Sequence, residues 1–256
     1  MADPTVSGYI LPAASLSLAP SVAAALRAAA ANAEPSSHTL RGTGPVLDQK
    51  NLPCCVSYSL STAMQIRNPA WAELSPLFHY YVTRYDNGGA NADGFLRLSD
   101  ALAALSVGGI CLKQLHAPPS TTAGVATRPT AAAYADGRTR ALGRRGILNR
   151  YAPAGAGSKA VWAREQLARN HPVVLGIRLP ASYPDGFLNR NFEWLEPDLL
   201  PSASGHCVLA VGYSDIRQAL RIQDSRGPQA FDGGRWWMAN RVVDSEVVQE
   251  AYCLLP

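Results

Sequence analysis

The chain has 256 residues, 47% of them hydrophobic and 16% charged, with a formal charge of +4. That length supports one large domain or two closely packed lobes, and that balance excludes a disordered chain. The small positive charge gives no argument for a nucleic-acid partner, and no apolar run reaches the roughly 18 residues of a membrane span.

Residues 1–43 are rich in Ala, Ser and Pro, and the opening Met-Ala-Asp-Pro lacks the basic start of a secretory signal. The expectation is therefore a cytoplasmic protein, or one exported without a cleaved signal peptide, for instance into a host cell. Ser21–Glu34 is mostly alanine and is expected to be helical by propensity. Leu52–Arg67 predicts a buried helix opening at two adjacent cysteines. Pro53 suits a helix start, and Val56, Ser59, Leu60, Ala63 and Ile66 recur at helical spacing. Ser75–Tyr85 predicts a second helix, with Ser75 as cap and Pro76 at its first position. Arg97–Val107 predicts a third, ended by Gly108-Gly109. Residues 117–160 read as a linker or crossing segment. Its arginines, Arg138, Arg140, Arg144, Arg145 and Arg150, read as a solvated basic surface. Trp162–Asn170 predicts a helix. Pro172–Leu179, Cys207–Tyr213, Ala219–Gln223 and Arg235–Ala239 follow as strands of an antiparallel sheet or small barrel. A helical first half and a β second half leave a cleft between unlike lobes, a natural place for chemistry.

The five cysteines, 54, 55, 111, 207 and 253, contain no CxxC pair, so a zinc ribbon or thioredoxin-like motif is not expected. Neither is a disulfide framework, nor a cofactor or metal. Cys55 stands at a predicted helix start, where partial positive charge and free N–H groups favour a thiolate. His206, between Gly205 and a buried strand, is placed to take the thiol proton. Asp224, just after the strand Leu220–Gln223, is placed to orient the imidazole, and Gln49, six residues before Cys55, to donate to an oxyanion.

The run Pro45-Val46-Leu47-Asp48-Gln49 through Pro53-Cys54-Cys55-Val56-Ser57 resembles the active-site segment of papain-like (C1) cysteine peptidases, nearest their bacterial branch. Leu74-Ser75-Pro76-Leu77-Phe78-His79-Tyr80-Tyr81, Leu98-Ser99-Asp100-Ala101-Leu102 and Gly205-His206-Cys207-Val208-Leu209-Ala210-Val211-Gly212-Tyr213 resemble later segments of the same family. Ile222-Gln223-Asp224-Ser225-Arg226-Gly227 and Gly233-Gly234-Arg235-Trp236-Trp237 complete the set, in the family's order. The resemblance spans about 40–256 and is weak over 117–160. It implies an α+β, two-lobed papain-like fold: a helical lobe over about 44–116, a crossing segment over 117–160 and a β lobe over 161–256, after an extension of residues 1–43.

The resemblance implies a thiol endopeptidase acting on a protein or peptide substrate, with Cys55 as nucleophile, His206 as base and acid, Asp224 in the place of the family's orienting Asn, and Gln49 in the oxyanion hole. Cys54 is a bystander. The chain departs from the pattern at Lys50 and Pro53, where the family has glycine, and at Arg226, where it has a shielding tryptophan. Arg226 could pair with Asp224, and Trp236 or Trp237 could supply the shield, though sheet core suits them better. These departures keep open a papain-like binding module without activity, and a Cys-His-Asp set also suits a deamidase or transglutaminase. Ala23–Ala33 could plug the cleft, and Tyr183–Leu200, carrying Phe187, Phe192 and Trp194, could wall its primed side.

Overall fold

The structure is a computed structural model and describes residues 9–10, 35–42, 44–86, 94–143, 147–149, 157–183, 186–197 and 204–255. Strands β1 (Tyr9–Ile10) and β2 (Ser37–Thr39) precede α1 (Cys55–Arg67), which no side chain caps. α1 is buried almost all round and carries four buried serine and threonine side chains, Ser57, Ser59, Ser61 and Thr62. Two of them fix its place. Ser59 Oγ donates to the Cys207 carbonyl (2.9 Å), and Ser57 Oγ meets Nδ1 of buried His79 (3.0 Å).

His79 belongs to α2 (Pro76–Tyr81), where Ser75 Oγ accepts from Phe78 N (3.1 Å) in the cap that the Ser-Pro pair predicts. The predicted helix to Tyr85 continues as a π-turn, Val82–Asp86. A short β3 (Leu96–Arg97) leads into α3 (Leu98–Gly108), stopped by Gly109 at φ 62°. A Cβ on Gly109 would lie 2.0 Å from the Gly137 carbonyl. That close approach belongs to a helix the linker reading missed, α4 (Ala131–Arg138), capped by Thr130 Oγ1 accepting from Ala133 N (3.2 Å). Asp136 on α4 accepts from Leu112 N (2.8 Å) and from Arg140 (2.6 Å), so part of the crossing segment is a packed element.

β4 (Ile147–Asn149) and α5 (Lys159–Ala168) lead to β5 (Val173–Arg178) and a long connection holding β6 (Glu193–Trp194). Then come β7 (Gly205–Ser214), β8 (Ala219–Gln223), β9 (Arg235–Ala239), α6 (Asn240–Asp244) and β10 (Val248–Leu254). The strands form one open sheet in the order β4-β10-β5-β7-β8-β9-β6, with β1 and β2 also on β7. It is antiparallel except where β6 meets β9 and β1 meets β3. Among the described residues the sheet is not closed. Helices on one side and this sheet on the other make the α+β, two-lobed architecture the resemblance implied. The helix expected over Ser21–Glu34, and with it the Ala23–Ala33 plug, lies outside the described residues.

Two registers set the site. β7 lies against β5 with Ile177 opposite His206 and Gly176 opposite Cys207. β8 runs back along β7 with Leu209 opposite Gln223, so the residue after β8, Asp224, arrives beside the start of β7.

Candidate active site

Cys55 is the first residue of α1, and Ser59 stands one turn on along the same face. Since Ser59 holds the Cys207 carbonyl, Cys55, one turn earlier on the same face, is carried to the neighbouring stretch of β7. The residue before Cys207 is His206. Both Cys55 and His206 are fully buried. Burial pushes the Cys55 thiol well above its usual range. The Cys207 N–H opposes that rise, while Cys54 and Asp224 add to it. The covered site therefore holds a thiol.

His206 Nε2 bonds to Asp224 Oδ1 at 2.9 Å, and neither side chain is exposed. Nδ1 has no hydrogen-bond partner among the described residues, which leaves it as the ring atom able to take a proton from a thiol. Asp224 is held on every side. Oδ1 also accepts from Ser225 N (2.8 Å), and Oδ2 accepts from Trp236 Nε1 (3.1 Å). Burial pushes its carboxyl up, but His206, Trp236 and Arg226 outweigh that and hold it below the usual range. Trp236 is thus both buried core and a hydrogen-bond donor to the carboxylate.

Gln49 is buried and clasped to the residue after Asp224: Gln49 N donates to Ser225 O (2.8 Å), and Ser225 Oγ donates to Gln49 Oε1 (2.5 Å). Its Nε2 donates to Leu52 O (2.8 Å). Lys50 takes a left-handed φ of 54°, so the loop keeps a turn that glycine makes without strain, and Asp48 Oδ1 steadies it by accepting from Lys50 N (2.7 Å). Cys54 Sγ points back to Leu52 O (3.7 Å), into its own turn.

Arg226 engages Tyr183 at this site. Its Nε donates to the Tyr183 hydroxyl (2.8 Å), and its guanidinium lies 4.7 Å from the Tyr183 ring centroid. That ring sits 5.4 Å from the His206 ring. Sequence reasoning named Tyr183 only as the first residue of the Tyr183–Leu200 connection and gave it no role beside His206, since that poorly matching stretch carries no local signal. Phe187 and Trp194 of the same connection pack edge-on to one another and against Trp236, forming an aromatic layer behind Asp224.

One more element reaches this place. The backbone of β1 pairs on one side with Leu96–Arg97 of the helical lobe and on the other with Gly205, next to His206. It spans the gap between the lobes. Among the described residues no group of His, Cys, Asp and Glu is placed to hold a metal ion, and no helix is long and apolar enough to cross a membrane.

No protein-family model matches the chain, and no curated protein sequence matches it. Solved structures do. The crystal structure of xylellain, a cysteine protease from Xylella fastidiosa, matches with a TM-score of 0.77 at 22% identity, over 100% of this chain and 97% of that one. A digestive procathepsin L 3 of Tenebrio molitor matches with a TM-score of 0.63 at 15% identity, over 89% of this chain and 72% of that one. A Carica candamarcensis cysteine protease in complex with E-64 matches with a TM-score of 0.61 at 16% identity, over 86% and 98%. These likenesses establish the fold as papain-like.

Proposed function

We propose that this chain is a cysteine peptidase of protein or peptide substrates. The observation that carries the reading is His206. One of its nitrogens is anchored on a buried carboxylate at 2.9 Å, the other has no partner among the described residues, and the carbonyl of the residue after it is held by Ser59 of the helix that Cys55 opens. In this reading His206 Nδ1 takes the Cys55 proton, and the helix start favours the thiolate left behind. The thiolate attacks the substrate carbonyl carbon. The oxyanion that forms is met by the Cys55 backbone N–H and the Gln49 amide. His206 then protonates the leaving amine, and water hydrolyses the thioester.

The buried thiol fits a covered resting form, with β1 as the cover. Hydration of the cleft removes the largest influence raising the Cys55 thiol. The test is labelling by a thiol-directed epoxide, followed by intact mass and peptide mapping, on the full chain and on a chain lacking residues 1–34. Cys55→Ala and His206→Ala versions run beside each. The expected result is single labelling at Cys55, faster without residues 1–34, absent in Cys55→Ala and slowed in His206→Ala. Equal reaction at Cys54 and Cys55 that ignores His206, or no reaction in the shortened chain, would overturn the reading in favour of a binding module.

A further inference from the structure

The papain-like pattern places a tryptophan where this chain has Arg226, which raises a physical problem. A guanidinium near Asp224 is the natural partner of that carboxylate, and a charge-assisted pair would compete with the imidazole for its oxygens. The structure shows how the competition is avoided. Asp224 Oδ2 faces Trp236 Nε1 at 3.1 Å and the Tyr183 hydroxyl at 3.5 Å. That same hydroxyl accepts from Arg226 Nε at 2.8 Å. The Tyr183 hydroxyl stands between the two charges, and its ring lies 4.7 Å from the guanidinium and 5.4 Å from the imidazole. It is 2% exposed, and burial keeps its phenol protonated, so it offers Asp224 a hydrogen while a lone pair takes Arg226.

We propose that Tyr183 is a positioning residue for His206: its ring covers the His206–Asp224 bond, and its hydroxyl, seated between Arg226 and Asp224, keeps the guanidinium from displacing the imidazole. The shielding that the family obtains from the residue after Asn-Ser comes here from a different segment, the turn that follows β5. The consequence for catalysis rests on the peptidase reading above; the arrangement of the three side chains does not.

A hydrogen-bond signature tests the geometry without relying on activity. In the full-length chain labelled with ¹⁵N-histidine, the His206 Nε2 proton, assigned by its loss in His206→Ala, should be shifted downfield and exchange slowly with water. Tyr183→Phe keeps the ring but removes the hydroxyl that accepts from Arg226 Nε and faces Asp224, so the guanidinium competes for the carboxylate and the resonance should broaden or vanish. Adding Arg226→Ala to Tyr183→Phe should bring it back, which a merely structural loss at Tyr183 would not do. Epoxide labelling at Cys55 should follow, slowed about tenfold in Tyr183→Phe, the scale of one charge-assisted hydrogen bond, and recovered in the double variant. The proposal is overturned by a wild-type proton in fast exchange, by a Tyr183→Phe protein that keeps the resonance, or by a double variant as impaired as the single. Absence of labelling in every protein counts against the peptidase reading alone, and the resonance still decides this one.

Discussion

Replacing Asp224 by asparagine, the residue of the papain-like pattern, is expected to destabilise this chain. Both carboxylate oxygens act as acceptors in a nearly closed site: Oδ1 for His206 Nε2 and Ser225 N, Oδ2 for Trp236 Nε1. An amide offers one oxygen. Turned toward His206, it sets its NH₂ against the Trp236 N–H; turned the other way, it sets two donors together at His206. Either way a buried N–H loses its acceptor, at a cost of about 1–3 kcal/mol. With a urea slope of roughly 2–3 kcal/mol per molar, the unfolding midpoint should fall by about 0.3–1.5 M. Trp236→Phe removes the clashing donor, so a double-mutant cycle should show a favourable coupling on the order of 1 kcal/mol. There is also a pH signature. Because Asp224 titrates below its usual range in the folded chain, its contribution is full above the ordinary carboxylate value of 3.8 and is lost as pH falls through the lower native one. Asp224→Asn should flatten that acid limb. An unchanged midpoint, or strictly additive Asp224→Asn and Trp236→Phe effects, would refute the two-acceptor account.

Burial lowers the His79 imidazole from 6.5 to about 4, so folding favours the neutral ring, and the stability present above pH 6.5 should drain as pH falls toward 4. The full loss is about 3 kcal/mol, and urea midpoints of His79→Gln across this window should lack that slope. Lys50→Gly should relieve the left-handed φ of 54° and raise stability by about 0.5–1 kcal/mol in thermal unfolding, whereas Lys50→Ala should not. Gly234→Ala meets both a φ of 78° and Val46 Cγ1 at 2.2 Å from the new Cβ, so it should cost at least about 2 kcal/mol and lower the melting temperature.

Much of this molecule is legible where one residue's chemistry decides a local outcome. Ser75-Pro76 specifies a helix start, and the Ser75 hydroxyl caps it as expected. The strands Ala219–Gln223 and Arg235–Ala239 run over the predicted residues. α4 escaped because its alanines carry no apolar stripe; it is held by Asp136 and by close contact at Gly137, which are tertiary facts. β10 escaped because Gln249 and Glu250 break its apolar pattern, although Glu250 is buried and accepts from the Tyr252 hydroxyl at 3.1 Å. In the candidate site, Gln49, Cys55, His206 and Asp224 each lie in a segment whose order and spacing are recognisable. Tyr183 does not, because its role comes from two partners 23 and 43 residues away in the chain, His206 and Arg226. The competition that Arg226 poses for Asp224 was visible in the sequence; the residue that resolves it was not.

β7 is hydrogen-bonded to β5 on one side and β8 on the other, with β1 and β2 adding to it, and it is buried from Gly205 through Tyr213. Amide protons in such a strand exchange only when the whole domain opens, so the backbone of His206 should be among the slowest to take up deuterium. Tyr183 and Gln49 lie outside this strand, where amide exchange should proceed through smaller openings than those of β7. The imidazole is therefore a fixed reference, and any gating of this site must come from the segments laid across it, on timescales far shorter than that of unfolding.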